Sequence, residues 1–419
     1  MRVGAEVTIL TNEIISFGSF GSFGSFGSFG SFESFGSFEP FPENARTTRT
    51  TGFYNVWVPS AIRRDIGQLL IGSLPGKTVT PEMRSLAREF SLGGVIFFAR
   101  NIEAPEQVAE LSHDAQGLAS GLPLWVSVDQ EGGRVARLKA PFTVWPPMAT
   151  LGRSGDEGLA RRFAKALATE LRAVGITLDY APVLDIHTNP KNPIIGDRAL
   201  AEDADSVARL GAAIIHTLQN NGIAACGKHF PGHGDTAVDS HLDLPLVEHP
   251  PDRIRRVELV PFREAVKAGV AFIMTAHVLV PSLDEEKPAT LSRRIVQAML
   301  RGELGFGGVI LSDDLEMKAI ANSYTVPDAA VQAIAAGCDA VLVCSGDVDV
   351  QAATLESLVR AVEQDVIPYK RLEDALKRGR LAKERFLAAP LAISHHAQLR
   401  HLLGCDEHQR IVDEMARFA

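Results

Sequence analysis

Residues Lys228–His241 read KHFPGHGDTAVDSH: three histidines, two aspartates, two glycines and a lysine in one polar segment. Imidazoles exchange protons near neutral pH, and a neighbouring carboxylate favours the charged ring and fixes its orientation. A second stretch, Gly308–Met317 (GVILSDDLEM), carries an apolar run straight into two adjacent carboxylates, Asp313 and Asp314. Successive side chains of an extended strand point to opposite faces, so only one of the two is expected to face a substrate. A carboxylate nucleophile held at a strand end, served by a histidine that shuttles protons, is the chemistry these two segments suggest. The rival chemistries lack their spacings. No H-E-x-x-H or cysteine partner marks a metal site, so neither metal nor other cofactor is expected. Ser240 sits between Asp239 and His241 without a G-x-S-x-G elbow, and no G-x-x-x-x-G-K-[ST] loop is present. Gly232 and Gly234 are read as a source of loop freedom. Glu316 has no assigned role and is expected to face solvent.

Such groups need a scaffold. Short apolar runs occur at Gln68–Gly72, Gly94–Phe98, Leu124–Val128, Leu178–Ala181, Ala224–Gly227, Ala271–Thr275, Val309–Ser312 and Ala340–Cys344. Continuous apolar runs suit strands buried on both faces of a parallel sheet. Amphipathic segments lie between them. In Glu157–Val174, Leu159, Phe163, Leu167 and Leu171 recur at i, i+4, with Asp156 placed to cap the start and Gly175 just past the end. Asp203–Asn220, Pro251–Ala268, Ser292–Leu304, Pro327–Ala336 and Arg371–Leu387 read as helices in the same way. Repeated β-then-α units give an α/β class, and eight strands predict a single (β/α)8 TIM-type barrel, with an open doubly wound sheet as the alternative. Polar residues follow the runs: Arg100-Asn101, Asp129-Gln130-Glu131, Asp185, Lys228-His229, His277, Asp313-Asp314 and Ser345. Closing a barrel would gather them at its C-terminal mouth, where barrel active sites lie.

The chain has 419 residues, 46% of them hydrophobic, and a net charge of -9 with no basic stripe, which argues against nucleic acid as a partner. Its four cysteines form no C-x-x-C pair. No apolar run reaches the roughly 18 residues of a membrane span. The N-terminus lacks the pattern of a signal peptide, so the cytoplasm is the expected location. Ser16–Glu39 is eight Ser-Phe-Gly or Ser-Phe-Glu triplets in tandem, a period that sustains neither a helical nor a strand face. The expected organisation is a low-complexity disordered tail and linker over 1–51, a catalytic barrel over 52–390 and a helical extension over 391–419.

Together, KHFPGHGDTAVDSH, SDDLEM, VDQEGGRVAR and IGDR resemble the β-N-acetylglucosaminidase branch of glycoside hydrolase family 3 over roughly residues 60–390. The resemblance implies a retaining exo-β-N-acetylglucosaminidase that removes terminal N-acetylglucosamine from cell-wall muropeptide fragments by double displacement. It implies Asp313 as nucleophile and His241, paired with Asp239, as proton donor and acceptor. It implies Asp129, Arg137, Arg198, Lys228 and His229 as the groups that bind the sugar, with a small GlcNAc-containing muropeptide as the partner. A phosphorylase acting on β-N-acetylglucosaminides, or a β-glucosidase of the same family, is the alternative. The residues themselves leave other roles open: an Asp129–Arg134 ion pair, Arg198 as a surface charge, and Trp145 either stacked on a sugar or packed in the core.

Overall fold

The computed structural model describes residues 60–240, 243–388 and 396–419. The low-complexity tail and the start of the C-terminal extension lie outside the described residues. Eight parallel strands close into a barrel in the order β1-β10-β9-β8-β7-β6-β3-β2. They are β1 (Leu70–Ser73), β2 (Gly94–Phe97), β3 (Trp125–Val128), β6 (Leu178–Asp179), β7 (Ala224–Phe230), β8 (Phe272–Thr275), β9 (Val309–Asp314) and β10 (Ala340–Val343). Each falls on one of the apolar runs. The sequence reading missed a hairpin, β4 (Gln130–Gly132) with β5 (Val135–Ala136), which pairs antiparallel beside the mouth.

Alternation along each strand divides the core in two. Inward residues stack inside the barrel, among them Ile71, Ile96, Trp125, Tyr180, Phe272, Met274, Leu311 and Leu342. Outward neighbours such as Leu70, Val95, Val126, Ile273 and Ile310 join the larger cluster shared with the surrounding helices. The interior is therefore packed rather than a pore, and substrate chemistry is confined to the ends.

The helices form where periodicity and caps coincide. Asp156 caps Glu157–Ala173 by accepting from Gly158 N at 2.7 Å, and Asp203 caps Ala204–Asn220 by accepting from Ser206 N at 2.8 Å. The expected helix Pro251–Ala268 is instead two, Pro251–Arg256 and Val260–Lys267. Pro261 supplies no N–H, which suits the first turn of a new helix and not the interior of a continuous one. The expected helix over Ser292–Leu304 forms with wide π-type turns over Arg294–Glu303.

After the barrel, Asp406–Ala416 packs on Glu157–Ala173. Buried Glu170 accepts from Thr143 Oγ1 (2.6 Å), Thr143 N (2.9 Å) and Gly404 N (2.8 Å), and it meets His408 Nδ1 at 2.7 Å. Trp145 is 3% exposed and meets Phe163 edge-on at 4.9 Å, so it is a core residue and does not offer a face to sugar.

Tyr369–Phe386 closes the opposite end of the barrel, where Lys383 is buried with the Gln68 Oε1 amide oxygen 2.7 Å from its Nζ. Burial pushes this ammonium down to about 7. The folded value lies below the unfolded one, so the folded protein resists protonation here. The cost is fully present below pH 7 and fades as pH rises toward the unfolded value of about 10.4. Lys383→Met should therefore raise the melting temperature, with the gain largest at pH 6 and shrinking by pH 10. Scanning calorimetry at both pH values checks this.

Candidate active site

The polar residues that follow the strands converge on one cavity of about 270 Å³ at the C-terminal mouth. Asp129, Glu131, Arg137, Arg198, Lys228, His229, His233, Ser240, Asp313 and Asp314 all line it. Five of the expected sugar-binding groups and the expected nucleophile are thus together. Asp239 is half-buried on the segment leading to Ser240 and is not among the lining residues. His241 lies outside the described residues.

Two irregularities bring consecutive residues to the same cavity. Between Gly227 and Phe230, β7 fits three steps against two on β8, and between Ala340 and Leu342 the partner on β9 advances from Leu311 to Asp314. A bulge of this kind lets neighbouring side chains escape strict alternation. Lys228 and His229 share the cavity for this reason, and so do Asp313 and Asp314. The expectation that only one aspartate could face it is corrected: the alternation rule fails at the bulge.

The two carboxyls then differ by environment. Burial acts to raise Asp313, but His229, His277 and the Asp314 N–H more than offset it and hold Asp313 below the usual carboxylate range. The Asp314 N–H donates to Asp313 Oδ1 at 2.8 Å. Asp314 is pushed up to about 7 by burial and by the charges of Glu316 and Asp313. Adjacent carboxyls with separated affinities can hold one charge and one proton between them. Glu316 does not face solvent. Its Oε2 accepts from Cys344 N at 2.7 Å and Ser345 N at 2.6 Å, bracing the chain as it leaves β10.

Opposite the carboxyls lies a charge array. Lys228 Nζ sits 2.7 Å from Asp129 Oδ1 and 2.6 Å from Glu131 Oε1. Arg198 clamps Glu131 with two bonds, of 2.8 and 2.7 Å, so it is not a surface charge. Asp129 also accepts from Arg137 at 3.3 Å, while Arg134 turns away to Asp197 at 3.2 Å. Burial opposes charge on Lys228, yet Asp129 and Glu131 raise it above its ordinary value. Burial likewise opposes charge on Glu131, yet Arg198 and Lys228 lower it. Asp179, fully buried beneath them, is pushed well above its usual range by desolvation.

Residues that the sequence reading did not single out hold these groups in place. Gln130 bonds Leu138 O and accepts from the Arg137 and Leu138 N–H groups, each at 2.9 Å, fixing the β4-β5 hairpin that carries Arg137. Buried Asn192 donates to His233 O (2.8 Å) and Gly234 O (3.0 Å) and accepts from Ile194 and Ile195 N, tying the Arg198 segment to the histidine loop. In sequence both look like ordinary loop amides.

The histidine loop is pinned more firmly than its glycines suggested. A Cβ on Gly234 would lie 1.7 Å from Ile186 O, so close backbone packing requires this glycine; freedom of movement is not the reason for it. His233, lowered to about 4 by burial, bonds Thr236 Oγ1 at 2.7 Å and Ser240 Oγ at 3.2 Å. Ser240 O accepts from Ala319 N at 3.2 Å, just beyond β9.

Residues 61–382 match the family model described as the glycosyl hydrolase family 3 N-terminal domain. The match takes in every barrel strand, and the protein is a glycoside hydrolase. The chain belongs to glycosyl hydrolase family 3. A β-hexosaminidase of Nitrosomonas eutropha is 41% identical over 67% of this chain and 81% of its own length. A solved family 3 β-N-acetylglucosaminidase of Paenibacillus sp. is 42% identical, with a TM-score of 0.81 over 85% of this chain and 68% of that one. NagZ of Neisseria gonorrhoeae, solved with N-trifluoroacetyl-D-glucosamine, is 33% identical, with a TM-score of 0.68 over 84% of this chain and 98% of that one.

Glu131→Gln leaves Arg198 and Lys228 short of a buried counter-charge. Breaking such a pair costs about 3–5 kcal/mol. Denaturant unfolding should show a loss of that order, whereas Arg161→Gln, at the exposed ion pair with Glu157, should cost less than about 1 kcal/mol.

Proposed function

We propose that the protein is a retaining exo-β-N-acetylglucosaminidase that releases terminal N-acetylglucosamine from muropeptide-derived fragments in the cytoplasm. The observation that carries the reading is Asp313: a half-buried carboxylate held below the usual range at the end of β9, facing the Asp129–Lys228–Arg198 array across one small cavity. The cavity suits one sugar unit, which fits exo action. Four free cysteines, three of them buried, suit a reducing compartment. The names and bound ligand of the relatives support the N-acetylhexosamine specificity.

In this mechanism Asp129, Lys228, Arg137, Arg198 and His229 orient the sugar. Asp129 accepts from hydroxyls, while the cations donate to hydroxyl and carbonyl oxygens. Asp313 attacks the anomeric carbon, and the glycosidic oxygen leaves with a proton from His241. A water then gives a proton back to His241 and displaces Asp313, restoring the carboxylate and the starting anomeric configuration. Asp239 orients and charges the His241 ring. Ser240, bonded to His233 and Ala319, lines the cavity, and His241 is the next residue in the chain. Asp314, pushed up to about 7, is still partly protonated at neutral pH, where Asp313 is ionised, and so competes less well as nucleophile.

Asp313→Ala should lower kcat on an aryl N-acetylglucosaminide by at least about 10⁴-fold. Trapping the glycosyl-enzyme and mapping the labelled peptide should return Asp313, and a label elsewhere rejects it as nucleophile. His241→Ala should slow substrates with poor leaving groups by roughly 10²-fold or more and activated aryl glycosides far less. Steady-state kinetics across a leaving-group series reads this, and equal losses across the series reject His241 as proton donor.

A further inference from the structure

Asp185 has no role in the chemistry above, yet it is 1% exposed and surrounded by the groups that have one. It lies in the segment after β6 that runs parallel to β7: Val183 pairs with Lys228, and Leu184 N donates to Lys228 O at 2.6 Å. Its two oxygens are both occupied. Oδ1 accepts from His233 N at 2.7 Å, Oδ2 meets His229 Nδ1 at 2.7 Å, and His229 N lies 3.3 Å from each. Burial acts to raise this carboxyl, but His229 and then His233 pull it below its ordinary value, so it is an anion that only accepts. Arg198 is the other charged side chain that feels it.

We propose that Asp185 is the positioning residue of the site: one carboxylate fixes the tautomer and rotation of the His229 ring and the root of the histidine loop together. Because the carboxylate accepts, Nδ1 carries the proton. In the neutral ring that leaves Nε2, the nitrogen remaining for the cavity, as an acceptor for a sugar hydroxyl. The third bond, to His233 N, ties the same anchor to the residue that holds Ser240 through its other ring nitrogen. His229 also lines the cavity with Asp313, so a rotated ring changes the nucleophile's surroundings as well.

Asn at this position has nearly the same shape but one acceptor fewer. Its oxygen must serve the His233 N–H, which only donates. Its amide N–H then faces Nδ1, and the ring proton moves to Nε2. This inference rests on the proposed glycosidase reading for its kinetic arm only. Nitrogen-15 NMR of the full-length protein labelled at histidine, with the His229 signals identified by their loss in His229→Gln, should show Nδ1 protonated in the wild type. Asp185→Asn should show Nε2 protonated. In the same protein kcat/KM for an aryl N-acetylglucosaminide should fall roughly tenfold to a hundredfold. The His229→Gln variant should lose a similar factor, and adding Asp185→Asn to it should cost little more. Independent, multiplying losses overturn the proposal, as does an unprotonated Nδ1 in the wild type, a result that stands even if the Asn variant does not fold. The NMR arm needs no substrate. A wild type that released no N-acetylglucosamine but kept the expected spectrum would count against the activity and not against Asp185.

Discussion

Lys228 is the point on which the mouth of this barrel is balanced. Its ammonium is buried between Asp129 and Glu131, and Glu131 is held in turn by Arg198. Two cations and two carboxylates offset one another in a place that water barely reaches. A buried charge left alone costs several kcal/mol, so none of the four can be removed without stranding the others. The array also sets what is left over. Burial raises the Asp179 carboxyl beneath it, while Asp313, across the cavity, is held below the usual carboxylate range by His229, His277 and the Asp314 N–H. The site thus carries prearranged donors and one available anionic nucleophile, and little reorganisation is needed when charge develops on a sugar.

The scaffold supports this by separating its two ends. Inside the barrel the stacked side chains are almost entirely apolar, with the cysteines Cys226 and Cys344 among them. The candidate active site lies where the strands finish, while a separate buried ion cluster, Asp339 with Arg301, Arg371 and Arg378, sits where β10 begins. At that end a helix covers the barrel and buries the Lys383 amine against the Gln68 side chain. The C-terminal helices pack on Glu157–Ala173 through Glu170 and His408.

Much of this was legible in the sequence because burial on both faces writes itself as unbroken apolar runs. All eight barrel strands stood out on that signal, and the residues after them included Asp129, Lys228, His229 and Asp313. What was not legible depended on register. The pairing of Asp313 with Asp314 in one cavity arises from a shift against β10 that no single-strand pattern encodes. Gly234 looked like flexibility because the oxygen that crowds it belongs to Ile186, far away in sequence. Asp185, Gln130 and Asn192 are ordinary polar residues until their partners are known. The helix over Pro251–Ala268 was read through its own interruption because Pro261 can begin a helix as well as break one.

The two bulges have an effect on how the mouth can change. Below them, strand parity is locked to the packed interior, and a one-residue slip would turn every core side chain outward. Above them that parity has already been reset, so the tips of β7 and β9 answer to the cavity and no longer to the trunk. Insertions and exchanges in the loops beyond His229 and Asp314 can therefore reshape what the mouth admits while the hydrogen-bond phase of the barrel stays as it is. One stave pattern can carry many different rims.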